Sequence, residues 1–313
     1  MKASVDLTNG YFSSYYIEWR LAKVLTNKIL LEKRHEFYLS IQSQIKQYDD
    51  PDGAATVSQE IRNGLFFDTI AQTVQYSEDL FALIKASSRP EFFIRNIVTY
   101  SAGEVTSFLK GFKCNHKNTS QAFFLPQELT FNDAEINQTY EEDVQRLIEY
   151  VQDIQLFYKN YEFVYNQYKH GLAVALRPYG NLYGPQQIEQ DMKGELDPYL
   201  AVWDNLNFKA ASKRGNISAD RAIMMPYLTP NVMPYAHQLQ SENNFLRFVF
   251  PADIPMDIDF LVEMAMKIRS CITVFISNYQ SNINPTNDGK KKWVLPENFK
   301  ENIYHHYTLN QTA

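Results

Sequence analysis

Cysteine is scarce in this chain: the 313 residues hold two, Cys114 and Cys271, far apart and in unlike surroundings. That excludes a disulfide framework and any paired redox or zinc spacing, and points to a reducing compartment. Cys114 and His116 have a spacing seen in metal sites, but no second pair completes four ligands, so neither a metal nor a cofactor is expected. Positive charge is short as well, with 30 Lys and Arg against 36 Asp and Glu and a formal net charge of −6. A general nucleic-acid or anionic-membrane binder needs a broad positive field, so any contact with phosphates must be local. Long apolar runs are missing too. The most apolar stretch near the end, "CITVFI" (271–276), falls far short of the roughly 20 residues that cross a bilayer. The opening "MKASVDLTNGYFSSYY" has no apolar run behind its lysine, which predicts no secretory signal and a cytoplasmic protein. There is no Gly-rich phosphate loop, no serine-centred nucleophile elbow and no His-Glu-x-x-His pair.

What the chain does have is apolar and aromatic content, 45% and 14%, enough for a packed core. Apolar residues recur at helical spacing. Residues 11–48 carry no proline or internal glycine and place Ile17, Leu21, Val24 and Leu31 at turn-compatible steps, which predicts one long helix ended by "DDPDG". Thr56 with Gln59, Ser88 with Glu91 and Thr139 with Glu142 match the capping box, so helices are expected to start at each. The predicted helix that starts at Ser88 runs to about Gly111, and the polar, aperiodic stretch 113–137 is expected to be a long surface excursion. Behind Thr139, a seam of Val144, Leu147, Val151, Ile154, Tyr158, Tyr161, Tyr165, Tyr168 and Leu172 alternates steps of three and four. That is the pattern of a long helix lying nearly antiparallel to a neighbour. Glu141, Glu142 and Asp143 then fall in its first turn, where carboxylates complement the helix dipole.

Residues 177–256 change character: prolines and glycines gather there around short apolar pieces such as "AIMMPYL" and "FLRFVFP". A last helix is expected from near Asp257, with Phe260, Leu261, Met264, Ile268, Ile272, Phe275 and Tyr279 on one side. The prediction is a mainly α protein: an up-and-down antiparallel bundle of long helices, interrupted by an irregular, partly extended insertion at about 177–256. Residues 1–283 form one helical domain in this reading, with the insertion as a candidate subdomain. Residues 284–313, including "GKKKW", His305 and His306, form a polar, loosely held tail.

One heptapeptide carries a functional lead. In "YNQYKHG" (165–171), Asn166 and His170 stand four residues apart on one helical face, with Tyr165 and Lys169 as a second such pair beside them. If Gly171 ends the helix, Lys169 and His170 occupy its last turn, where the dipole favours their charged forms. An imidazole beside a fixed cation suits a phosphate or phosphodiester. An ordinary helix terminus, with tyrosines in a core seam, has the same look.

The stretch resembles the signature of the HEPN superfamily, in which Arg, a polar residue, three variable residues and His lie near the end of a long helix. Asn166 matches the polar position and His170 the histidine, while Tyr165 stands where the arginine belongs. The resemblance implies a helical domain, pairing of two protomers, and metal-independent RNA cleavage where the arginine is present. A phenol cannot supply that permanent cation. "RNIVTY" (95–100) begins the same pattern but ends in Tyr100, so Arg95 is a candidate to complete a composite site. The candidate catalytic residues are therefore His170, Asn166 and Lys169, and the candidate binding residues Tyr165 and Arg95.

Three functions stay open on these residues. The first is a HEPN-like helical binding protein, catalytically degenerate, taking RNA, a nucleotide or a protein partner in a bacterial toxin–antitoxin or phage-defence setting. The second is an active metal-independent endoribonuclease working as a homodimer. The third is a structural protein with no small-molecule site.

Overall fold

A computed structural model describes residues 2–32, 40–41, 44, 51–126, 131, 133–169, 174–175, 200–203, 246–249, 258–284 and 290–310. Helices dominate them. In chain order they are α1 (Lys2–Ser14), α2 (Trp19–Glu32), α3 (Pro51–Ser87), a 3-10 turn (Pro90–Phe92), α4 (Phe93–Val98), α5 (Ala102–Gly111), α6 (His116–Ala122) and α7 (Ala134–Lys169). Strands β1 (Val174–Ala175), β2 (Leu200–Trp203) and β3 (Leu246–Val249) precede α8 (Ile258–Ile283), and β4 (Lys290–Asn298) and β5 (Ile303–Asn310) follow it. No helix among the described residues is long and apolar enough to cross a membrane. The fold is mainly α, as the periodicity predicts. The residues group into two compact units, one of 1–22, 73–159 and 263–313, the other of 23–72 and 160–262.

Among the described residues the expected single helix over 11–48 is broken at 15–18, between α1 and α2, and most of 33–48 lies outside the described residues. The break gives two backbone and side-chain groups new partners. The Ile17 carbonyl accepts the Tyr76 hydroxyl at 2.6 Å, and Glu18 takes Arg269 at 2.6 Å. Helix α3 starts at Pro51 rather than Thr56, because a first-turn proline loses no helical hydrogen bond. The helix expected over 88–111 is also divided. Ser88 donates back to the Lys85 carbonyl instead of capping, and the true cap is Ser101, which accepts from the Glu104 amide.

The stretch 113–137 is not simply an excursion. It holds α6, whose Asn115 side chain accepts from the Asn118 amide at 2.9 Å, and it buries Phe123 and Leu125. Helix α7 begins before Thr139: Asp133 accepts from the Glu135 amide at 2.9 Å, while Thr139 donates to the Glu135 carbonyl inside the helix. The α7 seam is as predicted from Val144 to Tyr165, every member through Tyr165 being buried. Tyr168 and Leu172 lie outside the residues whose side chains are described.

In the insertion, β1, β2 and β3 form an antiparallel sheet in that order, with Leu200 opposite Val249. "FLRFVFP" supplies β3 as expected, whereas "AIMMPYL" lies outside the described residues.

The tail expectation is corrected. β4 and β5 pair as an antiparallel hairpin and bury Trp293, Leu295 and Tyr307. Its turn is set by Asn298, whose side chain accepts from the Lys300 and Glu301 amides, and by Asn302 at φ 61°, a left-handed position that asparagine tolerates. Pro296 sits beside a register shift, where a strand can spare a donor. Two inward residues two apart on β4, with Tyr307 opposite Trp293 on β5, therefore turn a polar-looking segment into a core element.

The core of the first unit joins distant stretches of chain. Phe12, Phe93 and Tyr279 meet at ring separations of 5.2–5.9 Å, and the Asn9 and Asn284 amides exchange hydrogen bonds at 3.0 Å. In α5, the last carbonyls of Leu109 and Phe112 beyond it are satisfied by Gln155 from α7, at 2.7 and 2.6 Å.

Candidate functional site

The heptapeptide candidates divide. Tyr165 is buried at 6% exposure, which makes it a seam residue. Asn166 and Lys169 lie on the last turns of α7 with side chains outside the described set, and His170 lies outside the described residues altogether. Arg95 is exposed on the six-residue α4. It belongs to the first unit and Tyr165 to the second, so the composite site has no described geometry.

Cys114 and His116 turn to different neighbours, the thiol to Gln155 at 3.8 Å and the imidazole to Glu141 at 3.5 Å. Burial pushes the Cys114 thiol up, against the pull of Lys159, and pushes the wholly buried Cys271 thiol up further. Neither is an activated nucleophile.

Asp143, expected in the first turn of its helix, is instead in the body of α7 and 1% exposed. Three donors reach it: Arg146 Nη1 at 2.5 Å, the Tyr307 hydroxyl at 2.7 Å, and His305 Nδ1 at 2.7 Å. Arg146 also donates to the Pro296 carbonyl, and His305 Nε2 faces Glu297 at 3.1 Å. Burial and the Asp143 carboxylate hold the Tyr307 phenol far above its ordinary range. Each ring nitrogen of His305 and each oxygen of Asp143 is thus engaged within the protein. The cluster ties β4 and β5 to α7.

A ligand could enter instead at two adjoining pockets of the first unit, which share Gln121 and Phe124 and are described together as the lobes of one cleft. One lobe, of about 660 Å³, is lined by Ile84 and Pro90 from the end of α3 and the turn after it, Phe108 and Phe112 from α5 and its end, and Ala122 and Phe124 at the end of α6. Ser87, Ser107, Asn118 and Gln121 add hydrogen-bonding groups, and Lys113 a cation. A second lobe, of about 330 Å³, is polar and basic, with Lys291 and Lys292 of β4, Asn278, Ser281 and Asn282 of α8, and Gln121. Gln121 and Phe124 line both lobes, and among the described residues no carboxylate lines either.

Phe124 is held there by its backbone. The Leu125 amide donates to the Ser120 carbonyl at 2.8 Å and the Phe124 amide to Gln121 at 3.4 Å, the paired bonds of a Schellman helix end. That end requires a left-handed residue, and Phe124 supplies it at φ 58°. Glycine normally takes this position; for a bulky aromatic it stores strain, of a kind that gathers at ligand sites. Outside forces hold it in place: Trp293 donates its indole N–H to the Phe124 carbonyl at 3.1 Å, and the ring packs 4.9 Å from Tyr279. The Tyr279 hydroxyl and those of Thr119 and Ser120 on α6 are buried without a hydrogen-bond partner. Burial, with Glu91 adding to it, raises the Tyr279 phenol to about 12, so it remains a neutral donor.

Sequence reasoning passed over this cleft because it is built by a segment read as loop and a hairpin read as tail. The available signal was Pro126, just beyond "QAFFL", since proline often follows a helix end. No family model, no curated protein and no solved structure matches the chain.

Proposed function

We propose that this chain is a helical binding protein whose ligand enters the two-lobed cleft around Phe124, and that its HEPN-like helix end is catalytically degenerate. The cleft carries the proposal. It has the size and mixed lining of a small-molecule site, mostly apolar walls with a few convergent polar groups. Among RNA, a nucleotide and a protein partner, that size favours something no larger than a nucleotide, and the net charge of −6 disfavours a long phosphate chain. The burial of Tyr165 speaks against cleavage: the position where the resemblance asks for an arginine holds a core phenol.

The test runs both readings together. Wild type and His170→Ala are incubated with RNA in the presence of chelator, and thermal shifts are recorded against mononucleotides and other small anions. The expected result is equal inertness toward RNA and a rise in melting temperature with a small ligand. Cleavage that disappears in a folded His170→Ala protein overturns the proposal in favour of the endoribonuclease.

A further inference from the structure

Resting on the binding reading above, we propose the chemical class of the ligand: an anionic amphiphile that spans both lobes, with its apolar body among Phe108, Phe112 and Phe124 and its anionic head at Lys291. The argument begins with what each lobe can stabilise. Aromatic walls around about 660 Å³ favour a planar or acyl body, since apolar area leaving water is the main driving force there. The adjoining lobe offers the reverse. Lys291 and Lys292 both line it from the exposed start of β4, and Lys291 has the strand parity of Trp293 and Leu295, two and four residues on, which lets its stem lie along the wall with its ammonium at the polar space. Asn282 and Gln121 can donate amide N–H bonds to the same anion. Among the described residues no carboxylate lines either lobe and three lysines do, Lys113, Lys291 and Lys292, so the lining attracts an anion.

Continuity between the lobes comes from Gln121 and Phe124, the two residues common to both. The strained aromatic is thus the partition against which the body stacks, while the head lies beyond it. A phosphate or carboxylate on an aromatic or acyl body shares this chemistry, and the probes separate the two bodies.

Calorimetric titrations would use 1-naphthyl phosphate, dodecyl phosphate, uncharged 1-naphthol and inorganic phosphate. The variants are Ser107→Trp, which fills the apolar lobe from an exposed helix position, Lys291→Gln, and Lys113→Gln on the apolar side. One or both organic phosphates should bind more tightly than 1-naphthol or inorganic phosphate. Ser107→Trp should abolish that binding. Lys291→Gln should weaken the organic phosphate by about tenfold, the loss of one charge-assisted contact, and leave 1-naphthol unchanged. Three results overturn the inference while leaving a binding protein in place. These are equal affinity for 1-naphthol and its phosphate, insensitivity to Lys291→Gln, or a loss with Lys113→Gln alone, which would put the head in the apolar lobe. If no probe binds and Ser107→Trp does not alter the thermal shift with any small ligand, the binding reading fails as well.

Discussion

Phe124 stands in a backbone conformation that costs a residue with a Cβ about 1–2 kcal/mol. Its ring returns more than that by packing on Tyr279 and Phe275. Removing the ring separates the two effects. Phe124→Ala loses the packing and keeps the strain, whereas Phe124→Gly loses the same packing and releases it. Urea denaturation should find both variants less stable than wild type by about 2–5 kcal/mol. The glycine variant should be the more stable of the two by about 1 kcal/mol, the reverse of the usual order inside a helix. Alanine equal to or better than glycine would mean that the left-handed helix end does not form. The same residue shows why the site was hard to read from sequence. A helix end is recognised by its glycine, and here an aromatic fills the glycine's place, so the cue is absent although the geometry is present.

The elements were legible where one face repeats and illegible where a cap decides. The α7 seam and the inward row of α8, with Leu261, Met264, Ile268, Ile272, Phe275 and Tyr279 buried, follow directly from spacing. Starts did not. Thr139 with Glu142 has the letters of a capping box, yet in mid-helix the threonine simply bonds back to Glu135, and the working cap is Asp133. Asp143 shows the same difficulty at a tertiary level, since two of its three donors lie beyond residue 300. Those donors make it a staple between helix and hairpin. Asp143→Ala removes the acceptor that Arg146, His305 and Tyr307 share and should cost about 3–5 kcal/mol, while Tyr307→Phe, which leaves the carboxylate two donors, should cost about 1–2 kcal/mol. In a double-mutant cycle followed by urea unfolding the two losses should fall short of additive by about 0.5–3 kcal/mol. Strict additivity would show that the phenol and the carboxylate do not share one bond.

At the scale of the molecule, one compact unit is assembled from three separate stretches of chain, and the last of them carries most of α8 and the hairpin. Composition predicts a core but not which stretches share it, because "GKKKW" and "YHHY" read as polar until strand pairing turns alternate residues inward. The consequence is a dependence of early residues on late ones. Ending the chain after Asn284 removes Trp293, Leu295 and Tyr307 from the core, each buried side chain contributing about 1.5–3 kcal/mol. It also strips Asp143 of two of its three donors and Phe124 of the indole bond that steadies it. Together these approach the whole stability of an ordinary domain, about 5–15 kcal/mol. The shortened chain should therefore keep its far-ultraviolet helical signal, since the long helices have other partners. It should lose near-ultraviolet dichroism, bind a hydrophobic dye and melt without a sharp transition. A sharp transition within a few degrees of the full-length protein would place the hairpin outside the cooperative unit, and with it Lys291 and the basic lobe of the cleft.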